Sequence, residues 1–140
     1  MQLIDAFERF YTNVSLDSLE QLGTIYAEDA TLIDPIMQHQ GLDKIKRYFR
    51  NMLENTRKCH CAIQHVTQQN DTVFVTWKMT IAHPQLNKGQ DIAVNGISQL
   101  ELAANKIVFH RDYYDLGEMI YEQVPVLKHV VKMIKKRIGE

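Results

Sequence analysis

The feature that most constrains the fold of this chain is a change in the spacing of its apolar residues after Arg57. Before that point they recur at intervals of three and four, which is typical of amphipathic helices. After it they alternate with polar residues, most clearly in residues 72–82, as in antiparallel strands. Helices followed by a run of long strands predict an α+β domain in which helices pack on a curved antiparallel sheet.

Three helices and a short strand are predicted before Arg57. The first helix covers residues 3–13, the strand covers residues 30–36, and the third helix covers residues 42–53. A capping box at residues 17–20, beginning with Asp17, is expected to open the second helix. The core stripe of that helix is predicted to consist of Leu19, Leu22, Ile25 and Tyr26.

Strands are predicted over residues 59–68, 72–82, 90–102 and 106–115. Gly96 lies inside the third of them and predicts a bulge or a strong bend, which would let the sheet curl around a cavity. Residues 118–140 are expected to form a C-terminal helical extension of a single domain that spans residues 1–140.

Charge and cysteine content narrow the possible functions. The net charge of −1 argues against general nucleic-acid binding, which needs a basic surface. Cys59 and Cys61 flank a histidine but lack the paired clusters of structural zinc sites, so we expect free thiols, no metal and no cofactor. The acidic N-terminal segment does not fit a signal peptide, and no apolar run is long enough to span a membrane. We therefore expect a cytoplasmic protein.

Two separated aspartates are the candidates for chemistry. Asp34 ends an apolar strand just before Pro35, and Asp112 alternates with His110 and Tyr114 along the last strand. If both carboxylates face one pocket, they could act in acid–base catalysis. The alternatives are a structural turn cap at Asp34 and a hydrogen-bonded core network around Asp112.

Two motifs then give the chain a family resemblance, which covers essentially residues 1–117. They are Asp29-Ala-Thr-Leu-Ile-Asp-Pro35 and Lys106-Ile-Val-Phe-His-Arg-Asp-Tyr-Tyr-Asp-Leu116. Both resemble segments of the nuclear transport factor two-like superfamily, which includes ketosteroid isomerases, limonene epoxide hydrolases, scytalone dehydratase and SnoaL-like polyketide cyclases. The resemblance implies a cone-shaped α+β barrel with a deep pocket.

The resemblance to ketosteroid isomerases implies a general base at Asp34. It aligns their oxyanion tyrosine with Phe10, which has no hydroxyl group, and their second oxyanion donor with a position near Ser98. Since an enolate needs hydrogen-bond donors, the alignment implies that steroid isomerisation of the standard kind is absent.

The resemblance to limonene epoxide hydrolases implies an acid at Asp112. It aligns the arginine and the second aspartate of their triad with Trp77 and Met79, and a tyrosine with Leu32. The alignment therefore also implies that epoxide hydrolysis by the standard route is absent.

The preferred hypothesis is a cofactor-independent enzyme that isomerises, dehydrates, cyclises or hydrolyses a small, largely apolar or amphipathic compound. Asp34 would be the base, Asp112 a second acid or base, and His110 an orienting residue. The pocket wall is predicted to include Phe10, Leu32, Trp77, Met79, Ser98 and Tyr114. A non-catalytic ligand-binding module and a protein–protein adaptor of the same fold are the alternatives.

Two surfaces suggest further contacts. Ile107, Phe109 and Tyr113 are predicted to form an outward apolar face on the last strand, which favours a homodimer. Residues 125–140 form a basic amphipathic helix that carries a net charge of +4 and leaves −5 for the rest of the chain. We expect this helix to pack on its own domain and close the pocket rather than to contact a membrane.

Overall fold

A computed structural model describes residues 2–140 of the chain, and its central feature is one curved, unclosed six-stranded sheet. The strands lie in the order β2-β1-β6-β5-β4-β3. All neighbours are antiparallel except β1 and β6, which are parallel. The strands are β1 (Tyr26–Ile33), β2 (Gln38–Gln40), β3 (Lys58–Gln69), β4 (Thr72–Ala82), β5 (Ile92–Ala103) and β6 (Lys106–Tyr114).

Helices precede and follow the long strands, so the predicted α+β class is confirmed. Each of the two long N-terminal helices buries one stripe: α1 buries Leu3, Ile4, Phe7 and Phe10, and α3 buries Ile45 and Phe49. These stripes pack with the inner side of the sheet in one core, because only one face of each helix is apolar. The helices are α1 (Gln2–Thr12), α2 (Leu22–Ile25), α3 (Leu42–Asn55), α4 (Leu116–Met119) and α5 (Pro125–Gly139).

The region between α1 and β1 differs from the prediction. A 3-10 helix (Leu16–Gln21) precedes a single-turn α2, and Ser15 caps it through a reciprocal capping box with Ser18, whereas the sequence suggested a cap at Asp17. The strand then begins at Tyr26 rather than at residue 30. Tyr26 is buried, and it would be buried as part of a helix as well as part of a strand. Burial alone therefore could not show that it belongs to a strand. The short strand β2 was not predicted.

Gly96 does not form the expected bulge. The pairing of β4 with β5 runs from Thr72↔Glu101 to Ile81↔Ile92 without a shift, and Gly96 lies opposite Trp77. A β-carbon at Gly96 would lie 2.2 Å from Cη2 of the indole, so the glycine makes room for that ring. The register shifts of the long strands lie elsewhere, between Ile63 and His65 and between Glu101 and Leu102.

The parallel pairing of β1 with β6 brings together residues that are far apart in the sequence. Leu32 is the register partner of His110, and Tyr26 is the partner of Ile107. This pairing joins the N-terminal helices to the last strand, although the two strands are far apart in the sequence. It also brings a buried tyrosine of β1 next to the histidine of β6.

The outward apolar face predicted on β6 is smaller than expected. Ile107 is fully buried in the core, because a register shift separates the Tyr26–Ile107 pair from the Thr31–Phe109 pair in β1 and β6. Only Phe109 and Tyr113 remain partly exposed, and Arg111 lies over the Tyr113 ring at 5.0 Å. Dimerisation through this face stays a prediction. Within residues 2–140, no helix is long and apolar enough to cross a membrane.

The C-terminal helix does not pack as expected. No residue of α5 is buried, and its predicted apolar stripe is largely exposed to solvent. The pocket is lined instead by Met119 and Ile120, which precede α5 in the chain. The expectation that α5 closes the pocket is therefore wrong for the isolated chain, because α4 and the turn after it take that place.

Candidate functional site

A cavity of about 720 Å³ lies between the inner face of the sheet and helices α1 and α3. Its wall is mainly apolar and includes Phe7, Leu32, Phe49, Trp77, Met79 and Met119. Five predicted wall residues line it: Leu32, Trp77, Met79, Ser98 and Tyr114. Phe10 does not, because it is fully buried and packs edge-on against Tyr11 and Phe49. A cavity of this size and lining is typical of a small-molecule site.

Asp112 is the carboxylate on the wall of this cavity. Its Oδ1 atom accepts hydrogen bonds from Ser98 Oγ and His110 Nε2, both at 2.5 Å. Among residues 2–140, none donates a hydrogen bond to its Oδ2 atom. One oxygen is therefore fixed by the protein, and the other is available to a ligand.

Behind Asp112, a buried chain of hydrogen bonds runs to helix α1. His110 Nδ1 bonds to the Tyr26 hydroxyl at 2.7 Å, and the Tyr26 hydroxyl bonds to that of Tyr11 at 2.7 Å. Burial raises the pKa of both tyrosines, so both hydroxyls keep their protons near neutral pH. We call Tyr11, Tyr26, His110 and Asp112 the relay.

The relay has a consistent direction when only Asp112 is charged. Tyr11 donates to Tyr26, Tyr26 donates to Nδ1 of a neutral His110, and Nε2–H of that histidine donates to Asp112. Every buried polar atom along the chain then has a partner. In that arrangement the relay holds the carboxylate at the cavity wall without burying a second charge.

A second support for Asp112 comes from the sheet. Trp77 Nε1 donates to Ser98 Oγ at 2.8 Å, and Ser98 in turn donates to Asp112. Ser98 and Asp112 are register partners on β5 and β6, so backbone pairing sets their spacing. The indole reaches Ser98 while its six-membered ring lies against Gly96, which explains why a glycine stands at this point of the strand.

Asp34, the other predicted catalytic acid, occupies a turn. Its Oδ1 atom accepts hydrogen bonds from the backbone N–H groups of Ile36 and Met37, each at 2.8 Å. Its Oδ2 atom accepts one from the Tyr48 hydroxyl at 3.1 Å. This is the geometry of an aspartate turn cap, with both oxygens engaged.

Asp34 and Asp112 nevertheless share one recess of about 220 Å³ at the end of β6. Asp34 does not line the larger cavity, whereas Asp112 lines both. The two acids thus lie near each other, but they face different surroundings. A catalytic role for Asp34 stays a prediction that the turn geometry does not favour.

Tyr114 lines both the larger cavity and the recess that the two acids share. Burial, with smaller contributions from Asp34 and Asp112, raises its pKa, so the hydroxyl is protonated at neutral pH. Within the part of the chain that is described, it is not engaged in a hydrogen bond with another residue. Tyr114 can therefore donate to a ligand oxygen.

The mouth of the cavity is polar on the α3 side. Lys44, Arg47 and Asn51 follow one another at helical spacing and contribute to the lining. Both cations are exposed, and neither forms an ion pair with another residue of the described range 2–140. The apolar wall and the cationic rim together suit an amphipathic ligand with a negative end.

Sequence reasoning missed Tyr11 and Tyr26 as parts of the site. Tyr26 was assigned only to the apolar stripe of the second helix, and Tyr11 only to the first amphipathic helix. The missed signal was the hydroxyl group, because a tyrosine in a buried stripe needs a hydrogen-bond partner. Two tyrosines and one histidine that all need partners would have suggested a network. Across residues 2–140, no group of three His, Cys, Asp or Glu side chains is placed to hold a metal ion.

Comparisons with known proteins place this geometry among relatives. A family model described as "SnoaL-like domain" matches residues 7–110, which is most of the chain. No curated protein sequence matches this chain.

Solved structures share the fold at low sequence identity. A protein from Catenulispora acidiphila with a ketosteroid isomerase-like fold, in complex with trimethylamine, has a TM-score of 0.75 at 19% identity, covering 87% of this chain and 91% of its own. A protein from Jannaschia sp. CCS1 described as a SnoaL-like polyketide cyclase has a TM-score of 0.73 at 16% identity, covering 84% and 88%. One from Shewanella putrefaciens CN-32 with the same description has a TM-score of 0.72 at 18% identity, covering 89% and 95%. These similarities show the cone-shaped fold and leave the reaction open.

Proposed function

This chain belongs to the SnoaL-like domain family, and from that premise we propose that it is a cofactor-independent acid–base enzyme for a small, largely apolar compound. Asp112 is the general base of the proposed reaction. The observation that supports this most directly is the asymmetry of its carboxylate. Oδ1 is held by Ser98 and His110, and Oδ2 is unoccupied by the described residues at the wall of an apolar cavity.

The proposed chemistry is removal of a proton next to a carbonyl group. Asp112 Oδ2 takes the proton, and the electron pair of the broken C–H bond moves to the carbonyl oxygen to give an enolate. Tyr114 donates a hydrogen bond to that oxygen, since its hydroxyl is protonated and has no hydrogen-bond partner among residues 2–140. In a compound with a double bond next to the deprotonated carbon, the proton returns from Asp112 to the far end of the extended enolate, which completes an isomerisation. In a compound with a second carbonyl group, the enolate carbon attacks that group to form a C–C bond, and the resulting alkoxide takes the proton from Asp112, which completes a cyclisation.

His110 and Tyr26 act as positioning residues in this proposal. They lie behind Asp112, and His110 is only 1% exposed, so neither touches the ligand. Their hydrogen bonds fix the orientation of the carboxylate and satisfy Oδ1. A base that is already oriented loses less free energy in reaching the reactive geometry.

The ligand class follows from the cavity. About 720 Å³ of mainly apolar space accommodates a small organic compound, and Lys44 and Arg47 at the mouth can bind a carboxylate or a phosphate at one end of it. We therefore propose an amphipathic carbonyl compound with an anionic group. The trimethylamine in the Catenulispora acidiphila relative is a cation and gives no support to this choice.

Proton exchange in D₂O tests the proposal without knowledge of the natural substrate. A panel of apolar ketones and β-dicarbonyl acids is incubated with the protein, and deuterium incorporation next to the carbonyl is followed by NMR. Asp112→Asn should reduce the exchange rate by about 100- to 10,000-fold, the usual contribution of a general base. Tyr114→Phe should reduce it by about 100- to 1,000-fold.

Asp34→Asn is the matched control, because the amide oxygen can still cap the turn. It should leave the exchange rate within a few fold of the natural protein. A loss of exchange in Asp34→Asn with none in Asp112→Asn would reverse the assignment. Binding of the same compounds, measured by calorimetry, with no enzyme-dependent exchange for any of them would favour the alternative, a non-catalytic ligand-binding module.

A further inference from the structure

Helix α5 separates apolar from charged residues around its circumference. With 3.6 residues per turn, its apolar side chains cover an arc of about 160°. Its lysines lie on the opposite side. The apolar face consists of Val126, Leu127, Val130, Val131, Met133, Ile134 and Ile138, and the lysine face of Lys128, Lys132, Lys135 and Lys136.

Most of the apolar face is exposed to solvent, and none of its side chains is buried by residues 2–140. Ile138 is 80% exposed, Val126 75% and Met133 63%. The helix is tied to the preceding turn by an exposed ion pair, Lys135 Nζ to Glu122 Oε1 at 3.1 Å. A helix of 15 residues is marginal in water without packing, so this face needs an apolar surface to cover it.

The charge of α5 indicates which kind of surface can cover its apolar face. Residues 125–140 hold five Lys or Arg against Glu140, a net charge of +4. Arg137 lies within the apolar arc. If two copies paired through this face, both arginines would lie at the contact with Glu140 as the only acid in residues 125–140, and the two helices, each with a net charge of +4, would repel each other. At a lipid surface, the arginine stem can cover apolar area while its guanidinium reaches a phosphate group.

We propose that α5 docks in the plane of an anionic phospholipid bilayer. The apolar face enters the boundary between headgroups and acyl chains, and the lysine face contacts the anionic headgroups. Met119 and Ile120, which line the cavity, precede the helix by a few residues. Docking would therefore bring the cavity close to the bilayer. The inference rests on α5 alone and holds whether or not Asp112 is a base.

Vesicle flotation tests the docking. The intact protein should float with vesicles of phosphatidylcholine and phosphatidylglycerol, bind phosphatidylcholine vesicles weakly, and dissociate as salt is raised. Lys128→Glu with Lys132→Glu should weaken binding at least about tenfold, since each lysine near such a surface contributes about fivefold. Val130→Gln with Ile134→Gln, which keeps good helix formers on the apolar face, should weaken it comparably.

Lys78→Glu with Lys88→Glu is the matched control, because it changes the net charge equally at exposed positions outside α5. It should leave binding within about threefold of the natural protein. Equal binding to both kinds of vesicle, no binding to either, or loss of binding in the control to the same extent would each overturn the proposal. So would a dimer, seen by sedimentation, that Val130→Gln with Ile134→Gln dissociates, since the second copy would then be the partner.

Discussion

The contact between Gly96 and Trp77 links one backbone position to the carboxylate at the cavity wall. The indole ring occupies the space where a β-carbon at position 96 would lie, and its N–H group supports Ser98 and through it Asp112. A side chain at position 96 must therefore move the ring. The strand tolerates glycine here in spite of its low strand propensity because the aromatic ring fills the vacant volume.

Gly96→Ala should lower the free energy of unfolding by about 1–3 kcal/mol, the usual cost of overpacking. Chemical denaturation gives this value. In a Trp77→Phe background the same change should cost less, because the ring that blocks the methyl group is gone. Equal costs in the two backgrounds would show that the ring is not the obstacle.

One half-buried thiol, Cys59, and one buried thiol, Cys61, predict a loss of stability in alkali. Burial raises the pKa of Cys59 to about 11 and that of Cys61 to about 12. In the unfolded chain both thiols ionise near their ordinary pKa of about 8.5. Above that pH the folded state therefore binds more protons than the unfolded state does. The stability that the two thiols contribute is complete below that pH, and it is lost as pH rises through 11 and 12.

The urea concentration at the unfolding midpoint should therefore decrease as pH is raised from 8 to about 10. This interval lies below the range where tyrosines add to the effect. Cys59→Ala with Cys61→Ala should flatten this slope, although the double variant starts from a lower stability because it removes buried atoms. An unchanged slope would assign the alkaline loss to other groups.

Among the elements, β1 and β6 depend on each other through the relay. Tyr26→Phe leaves His110 Nδ1 buried without a partner, which should cost about 1–3 kcal/mol. Tyr11→Phe should cost less, because Tyr26 can still donate to the histidine. Nitrogen NMR of the imidazole checks the cause: the Tyr26→Phe spectrum should show a changed tautomer balance, and the Tyr11→Phe spectrum should not.

Sequence periodicity predicted the elements well and their long-range partners poorly. The amphipathic stripes of α1 and α3 and the alternation of β4 follow from local burial, which the sequence records directly. The site residues of β6 were placed on one face for the same reason. The partners of His110 could not be predicted, because a parallel pairing between strands so far apart leaves no local pattern. Ile107 was misplaced because a register shift is also invisible in local periodicity.

At the scale of the whole molecule, α5 contributes little to the stability of the domain. None of its side chains is buried, and an exposed ion pair is worth at most about 1 kcal/mol. A chain that ends at Val124 should therefore unfold within a few degrees of the intact chain. Calorimetry measures both, and a drop of more than about 10 °C would show that α5 packs on the domain in solution.

The parallel neighbours β1 and β6 also have a consequence for the order of events during synthesis. Tyr26 and His110 are separated by 84 residues, so at about 5–20 residues per second roughly 4–17 s pass between their additions to the chain. The successive antiparallel pairs from β3 to β6 can form between neighbours in the sequence as they emerge. Strand β1 pairs with β6, which is synthesised later. Helices α1 and α2 and strand β1 therefore cannot complete their packing until β6 has been made. The carboxylate at the cavity wall therefore acquires its supports only when the nascent domain is almost complete.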